Sequence, residues 1–302
     1  MMKPNAGFVG LGEMGKWMAI NVLKAGYPLM VYDINPVPVK ELVSLGALEA
    51  RTLALMAREV DYILLSLPGT EIVQKVLFDK EGIMEDARPG LVVVDLSTTH
   101  PLKTRDIEKT LGEEGVTFID APVSGMEARA KEGTLTIMAG GEETTFRQIE
   151  PLLSAVANKI VYMGGSGNGQ LTKLANQILF NISAAAMAEI LPLAVKMGLD
   201  PEKVCEVVKT GTGNSYALEF FSPHILNNHF KIGYTLKNAY KDMVSVFEMS
   251  ASEKIPLPVT NGAMVTYQMA LAEGLGDEGK GAMIKVWEKA LGVKVRKRNR
   301  KG

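Results

Sequence analysis

The segment AGFVGLGEMG constrains this chain more than any other. Gly10, Gly12 and Gly15 stand in the spacing G-x-G-x-x-G, an apolar run (Gly7, Phe8, Val9) leads into them, and an amphipathic stretch from Met14 to Lys24 leads out. Strand, tight turn and helix satisfy that pattern together. Gly10 permits the turn, Gly12 lets the backbone approach a pyrophosphate, Gly15 lets helix and strand pack closely, and the helix N-terminus faces the anion. Asp33 closes the next apolar run, PLMVYD, 23 positions after Gly10. A carboxylate there accepts hydrogen bonds from ribose hydroxyls and repels a 2′-phosphate, so the sequence predicts NAD in preference to NADP. Leu11, Glu13, Met14, Ile34 and Asn35 complete the two loops that would surround the dinucleotide.

The rest of the first half repeats the same rhythm. DYILLSLP, LVVVDLS and VTFIDAP are short apolar runs bounded by Gly, Pro or Asp, and Pro36–Leu45 and Leu102–Leu111 carry a helical period between runs. A βαβ series of this kind predicts a mostly parallel sheet covered by helices on both faces. TLTIMAGG and KIVYMG read as two further strands around a helix through Phe146–Val156. After GGSGNG at 164–169 the texture changes: Gln170–Met197 is apolar nearly all round and reads as one long helix, with Pro192 set to kink it. No alternating strand follows. The expected fold is an α/β Rossmann-type N-terminal domain, residues 1–165, followed by an all-helical C-terminal domain, residues 166–302, which the long interdomain helix begins.

Composition narrows the function. A chain of 302 residues suits two domains rather than one. With 33 basic and 34 acidic residues the net charge is -1, too balanced for sequence-independent phosphate binding, so nucleic acid is not an expected partner. One cysteine, Cys205, forms no internal disulfide, and with His100, His224 and His229 it offers no ligand spacing, so no metal is expected. Cys205 sits among valines and reads as a packing residue in a reducing, cytoplasmic protein. No uninterrupted apolar run reaches the roughly 18 residues of a membrane span, so no membrane partner is expected. The basic run Lys294, Arg296, Lys297, Arg298, Arg300, Lys301 reads as a solvated, frayed end.

Candidate chemistry gathers at strand ends. Leu67, Pro68, Ser97 and Thr98 follow two predicted strands, where open α/β sheets hold ligands, although each also suits a turn or helix cap. Asp120-Ala-Pro-Val-Ser-Gly125 sets a hydroxyl and an unobstructed amide past another strand, donors that suit a carboxylate; an ordinary βα turn has the same look. Lys173 lies in the first two turns of the long apolar helix, against the dipole. That placement and partial desolvation favour a neutral amine fit for acid/base work, whereas a surface lysine on an exposed stripe is the competing reading. Asn176 and Gln177, at +3 and +4, share its face.

Taken in order, GFVGLGEMG, DLSTTHP, DAPVSG with GTLTIMAGG, GSGNGQLTKLANQ and Lys241-Asp242 resemble the β-hydroxyacid dehydrogenases, the family of 3-hydroxyisobutyrate dehydrogenase and tartronate semialdehyde reductase. The resemblance implies that Gly10 to Gly15, Asp33, Leu67, Pro68 and Thr98 hold the dinucleotide. It implies that Ser124 and Gly125 hold the substrate carboxylate, that Lys173 is the catalytic acid/base, and that Lys241 closes over the cofactor. Two positions depart from the family pattern: Met126 stands where a second glycine is common, and Gln177 where many members have Asn. KLANQ is similar to the tartronate semialdehyde reductase branch and GAMIKVWE to 2-(hydroxymethyl)glutarate dehydrogenase.

The expected activity is reversible hydride transfer between NAD(H) and a short β-hydroxy acid or its semialdehyde, by a homodimer or homotetramer whose long helix a second subunit covers. Two other readings use the same fold. A non-catalytic dinucleotide sensor has no need of Lys173, and a 6-phosphogluconate-type dehydrogenase would want more cations around DAPVSG than Arg129 and Lys131.

Overall fold

The computed structural model describes residues 3–297. They divide into two compact units, one ending at Lys173 and the other beginning at Leu174.

The N-terminal unit begins β1 (Ala6–Val9), α1 (Gly15–Lys24), β2 (Leu29–Tyr32), α2 (Pro36–Ser44), β3 (Leu48–Glu49), α3 (Leu53–Glu59), β4 (Tyr62–Leu65) and α4 (Thr70–Phe78). It continues with β5 (Val92–Asp95), α5 (Pro101–Glu113) and β6 (Thr117–Asp120). The six strands form one sheet in the order β3-β2-β1-β4-β5-β6, and every pair is parallel. Chain direction across the sheet reverses between β1 and β4. Such a switch point leaves a crevice beyond the carboxyl ends of the strands.

Both faces of the sheet are buried, with a period of two. Phe8, Leu64, Val92, Val94 and Ile119 pack on one side with residues of α1 and α2. Val9, Ile63, Leu65, Val93 and Phe118 pack on the other with residues of α3, α4 and α5. The short helices α3 and α4 and the two-residue β3 carry too few periods to stand out in the sequence.

A second, three-stranded sheet follows: β7 (Val123–Ser124), α6 (Met126–Glu132), β8 (Leu135–Ala139), α7 (Glu143–Leu153) and β9 (Ala157–Tyr162), in strand order β7-β8-β9. β7 runs antiparallel to β8, and β8 parallel to β9. Asp120 and Gly140 exchange backbone hydrogen bonds of 3.0 and 2.7 Å, which join the end of β6 to the end of β8.

The helix α8 (Asn168–Lys196) runs on through Pro192. By length and mean hydropathy it is apolar enough to cross a membrane, although polar residues such as Asn181 and Glu189 interrupt its apolar runs. A core helix meets the same test, and Gln170, Lys173, Gln177 and Asn181 are buried along it.

The C-terminal unit holds the remainder of α8 with α9 (Pro201–Thr210), α10 (Tyr216–Leu226), α11 (Leu236–Ser252), α12 (Pro258–Ala272) and α13 (Ile284–Leu291). Its core includes Leu191, Phe221, Ile225, Met243, Tyr267 and Ile284. Cys205 is buried in the same core, and burial pushes its thiol above the usual range, which suits packing rather than nucleophilic attack.

The basic run after α13 is not frayed where it is described. Buried Glu288 accepts hydrogen bonds from the Val295 amide at 2.9 Å and Arg296 Nη1 at 2.7 Å, and it pairs with Lys294 at 3.2 Å. Lys297 donates its amide to Leu226 O at 3.0 Å. Uncompensated, a buried carboxylate costs several kcal/mol, so it draws cations to itself. Arg298, Arg300 and Lys301 lie outside the described residues.

Candidate active site

The glycine loop sits at the switch point. Gly10 takes φ +91°, and a Cβ there would stand 2.2 Å from Ser66 O; a Cβ on Gly15 would stand 1.9 Å from Gly10 O. Both glycines are therefore required by the fold itself. Gly12 differs, because a Cβ on it would meet nothing within 4 Å. Its missing side chain clears space only for something outside the chain, which fits a pyrophosphate lying against the N-terminus of α1. Glu13 is exposed beside it, and Met14 is the residue before the first helical turn.

Asp33 follows β2 and is half-buried. Its Oδ2 accepts the Leu11 amide at 2.5 Å and its Oδ1 accepts the Asn35 amide at 2.7 Å. The carboxylate thus ties the two loops together, and each oxygen keeps lone-pair capacity for a ribose hydroxyl. Asn35 in turn caps α2 by accepting the Val37 amide at 3.0 Å, while Ile34 is 93% exposed.

Leu67 donates its amide to Ser97 Oγ at 2.9 Å, which brings the two sequence-predicted loops after β4 and β5 together. Pro68 is exposed and Thr98 half-buried at this edge. Ser97 and Thr99 are themselves fixed by buried Asp95, whose carboxylate accepts the Ser97 amide at 3.0 Å and the Thr99 hydroxyl at 3.1 Å.

Ser124 pairs with Thr136 across β7 and β8. Gly125 takes φ +146°, and a Cβ there would come within 2.9 Å of Arg129 Cβ and Leu135 Cδ2, so the turn requires glycine. Met126, the position that departs from the family pattern, takes φ +61° as the first residue of α6. Non-glycine residues enter that region at a cost of about 1–2 kcal/mol. α6 is anchored to α1, where Trp17 Nε1 donates to Glu127 Oε1 at 3.0 Å and Asn21 Nδ2 to Ala130 O at 2.8 Å.

The start of α8 is held by residues that the sequence did not single out. Asp120, fully buried at the end of β6, accepts the Gly167 amide on Oδ1 at 2.8 Å and the Gln170 amide on Oδ2 at 2.8 Å. The Gln170 side chain accepts the Thr99 amide at 2.9 Å and donates to Ser97 O at 2.8 Å. Neither role could be read locally, because Gln170 lies 71 residues from Thr99 and 50 from Asp120. One signal was available: DAPVSG opens with an aspartate immediately after an apolar run, and a strand-end acid is a frequent holder of backbone amides.

Lys173, one turn past Gln170, is 8% exposed, which decides against a surface stripe. Asn176 is exposed and reaches Gln177 Oε1 at 3.5 Å. In the C-terminal unit Gln177 is buried and donates to Asp242 Oδ2 at 3.0 Å, so its amide is held by an acid 65 residues away. Asp242 also accepts from Tyr234 OH at 3.4 Å and lies 3.9 Å from Lys241 Nζ, whose side chain is partly exposed. Burial, and then the Asp242 charge, push the Tyr234 hydroxyl well above its ordinary range. Among the described residues no group of three His, Cys, Asp or Glu is placed to hold a metal.

Known proteins share this organisation. A family model described as the NAD binding domain of 6-phosphogluconate dehydrogenase matches residues 5–164. One described as NAD-binding of NADP-dependent 3-hydroxyisobutyrate dehydrogenase matches residues 167–287. The 2-(hydroxymethyl)glutarate dehydrogenase of Eubacterium barkeri is 38% identical over 290 residues, 96% of this chain and 96% of its own. The 2-hydroxy-3-oxopropionate reductase of Escherichia coli is 34% identical over 282 residues, 93% of this chain and 96% of its own. A crystal structure of 3-hydroxyisobutyrate dehydrogenase from Salmonella typhimurium, 30% identical, superposes with a TM-score of 0.85, covering 94% of this chain and 100% of that one.

Burial raises Asp120 from 3.8 to about 7, aided by the nearby Asp95 charge and opposed by the two amide bonds. The folded protein therefore keeps this proton between about pH 4 and pH 7, where the unfolded chain has released it. Stability from this group falls as pH rises through that window. Asn cannot titrate, so the melting-temperature advantage of wild type over Asp120→Asn should shrink from about pH 4.5 to about pH 7.5. A gap that stays constant or widens, measured by calorimetry, would show that Asp120 ionises in the ordinary carboxylate range.

Proposed function

The chain belongs to the β-hydroxyacid dehydrogenase family, and from that premise we propose that it is an NAD-dependent oxidoreductase acting on a short β-hydroxy acid or its semialdehyde, of the 3-hydroxyisobutyrate, tartronate semialdehyde or 2-(hydroxymethyl)glutarate class. The observation that carries the reading is Lys173: a lysine 8% exposed, one turn beyond a helix start fastened to the strand ends beside the dinucleotide loop. A non-catalytic sensor would gain nothing from burying an amine there.

The loop from Gly10 to Gly15 takes the pyrophosphate at the space Gly12 leaves, since the Gly10 and Leu11 amides are already given to Tyr32 O and Asp33 Oδ2, and Asp33 takes the ribose hydroxyls. Leu67, Pro68 and Thr98 border the nicotinamide, and Lys241 of the helical unit is the cofactor lysine that the family resemblance assigns. When bound, the nicotinamide supplies the hydride acceptor or donor. Ser124 Oγ and the Gly125 amide donate to the substrate carboxylate and so fix the orientation of the β-carbon. In oxidation the Lys173 amine accepts the β-hydroxyl proton, and in reduction its ammonium returns that proton to the oxygen. Asn176 and Gln177 follow Lys173 at +3 and +4 on the same helix face, and the Gln177 amide is already engaged by Asp242. Arg129 and Lys131 are the cations that a sugar-phosphate substrate would need. Arg129 reaches Asn158 and Lys131 pairs with Glu127 at 2.8 Å, so of these two cations only Lys131 has its charge compensated among the described residues.

One family model carries an NADP-dependent description, which makes the cofactor preference worth a direct measurement. Asp33 should give NAD a kcat/KM advantage of about one to two orders of magnitude over NADP. Asp33→Ala should narrow that ratio and also weaken NAD, because Asp33 holds the Leu11 amide. A wild-type ratio at or below unity would overturn the assignment.

Lys173→Ala should lower kcat by on the order of 10²–10⁴ and leave the NAD dissociation constant nearly unchanged, whereas Ser124→Ala should act mainly on substrate KM. Near-normal kcat across a pH series in Lys173→Ala would remove the lysine from the mechanism.

Assembly is proposed from α8, which exposes Leu171, Leu179, Ile190 and Leu193, with exposed Met197 just past its end. A second copy covering those side chains would make a homodimer or homotetramer. Sedimentation at micromolar concentration should show no monomer peak, and a purely monomeric profile would refute it.

A further inference from the structure

We infer that the clamp formed by Asp120 and Gln170 is the positioning device for Lys173, setting the direction of the amine through the first turn of α8. The inference rests on the assignment of Lys173 as acid/base.

The geometry is unusually closed for a helix start. The helix N-terminus leaves amides without intrahelical partners, and an exposed side chain or water commonly takes them. Here two are taken by the two oxygens of one fully buried carboxylate, Gly167 N on Oδ1 and Gln170 N on Oδ2, each at 2.8 Å. Two bonds to one rigid group fix both position and direction, as a single cap does not. The carboxylate belongs to β6, whose Asp95 neighbour on β5 is also buried, so the clamp is seated on the sheet and not on a loop.

Backbone contact closes the remaining freedom. A Cβ on Gly169 would stand 2.3 Å from Met138 O and 2.8 Å from Asp120 O. A Cβ on Gly140 would stand 2.7 Å from Asp120 Oδ1 and 2.9 Å from Gly169 N. α8 thus begins in direct backbone contact with β6 and β8. Gln170 adds rotation control. Its side-chain amide spans Thr99 N and Ser97 O, and Ser97 Oγ holds the Leu67 amide at the edge of the dinucleotide site. Lys173 lies three residues past Gln170, on the same side of the helix. The hydrogen bonds that bound the nicotinamide side therefore also bound the rotation of the turn that carries the amine.

Misplacing a reacting group by about 1 Å can cost on the order of 10² in rate. Asn in place of Asp120 keeps one acceptor and turns the other into a donor aimed at an amide. Assayed at about pH 8, where Asp120 is ionised, Asp120→Asn should lower kcat by about 10–10²-fold and leave the NAD dissociation constant within about threefold. The decisive readout is the pair. In a Lys173→Ala background, with its residual rate rescued by added methylamine, Asp120→Asn should change the rescued rate by less than about twofold, since free amine is not aimed by the helix. An equal loss in both backgrounds, or an Asp120→Asn kcat within about twofold of wild type, overturns the inference. Should Asp120→Asn fail to fold, Gln170→Met enters the same cycle with an expected loss of about three- to tenfold, again confined to the enzyme that has Lys173. Full activity of Lys173→Ala alone would instead refute the acid/base assignment, a failure distinct from either of these.

Discussion

A parallel sheet buried on both faces has nowhere to put polar chemistry except beyond the ends of its strands. In the N-terminal unit the side chains of β1, β4, β5 and β6 alternate between two apolar layers, and between the half-buried Tyr62 and Thr117 at the amino ends and Asp95 and Asp120 at the carboxyl ends no polar side chain interrupts them. Each of those acids is satisfied by backbone amides or hydroxyls of the loop that follows it or of the α8 start. Burial without such partners would cost several kcal/mol for each charge. The need to satisfy strand-end carboxylates therefore organises the loops that form the site.

Glycine does two separate jobs in this arrangement. Gly10 and Gly15 permit backbone to touch backbone, so any larger residue would collide with the protein itself. Gly12 collides with nothing inside the protein, and its lack of a side chain matters only to a bound molecule. A three-glycine motif thus separates into folding requirements and a binding requirement, a distinction invisible in the spacing alone. Met126 shows the reverse case. It occupies a left-handed conformation that glycine would take without cost, at the entrance to the helix following the Ser124–Gly125 turn. Strain of that size persists where surrounding structure fixes the backbone, and the anchoring of α6 on α1 supplies such fixing.

What was legible in the sequence is what local pattern determines. The strand–glycine–helix unit, Asp33, the βαβ rhythm and the long helix all follow from spacing within a few tens of residues. Boundaries shifted by one to three residues, as at α1, α2 and α7, because the ends depend on caps rather than period. The helices α3 and α6, seven residues each, are too short to show periodicity. The basic end looked solvated because the sequence could not reveal that Glu288 is buried and attracts Lys294 and Arg296. The polar ties at the site were illegible for the same reason. Gln177 and Asp242, or Gln170 and Thr99, have no signature until the fold brings them together.

Those ties solve a problem that an all-round apolar helix creates. A helix with a one-sided apolar stripe is turned to its neighbours by hydrophobicity, but α8 has apolar residues on nearly every face, so burial alone leaves its rotation poorly defined. Buried polar side chains supply the missing preference, since each left unsatisfied costs about 1–3 kcal/mol. In the N-terminal unit Gln170 meets Ser97 and Thr99. In the C-terminal unit Gln177 meets Asp242, and Asn181 Oδ1 accepts from fully buried Lys280 at 2.6 Å. Lys280 also stands 3.9 Å from the Phe180 ring centroid, an attraction that strengthens as water is removed. Rotating α8 by a single residue, about 100°, would break every one of these bonds within the unit that contains it. The same helix that carries Lys173 is thus given one rotational setting by each unit it enters, and the apolar side chains are free to fill space.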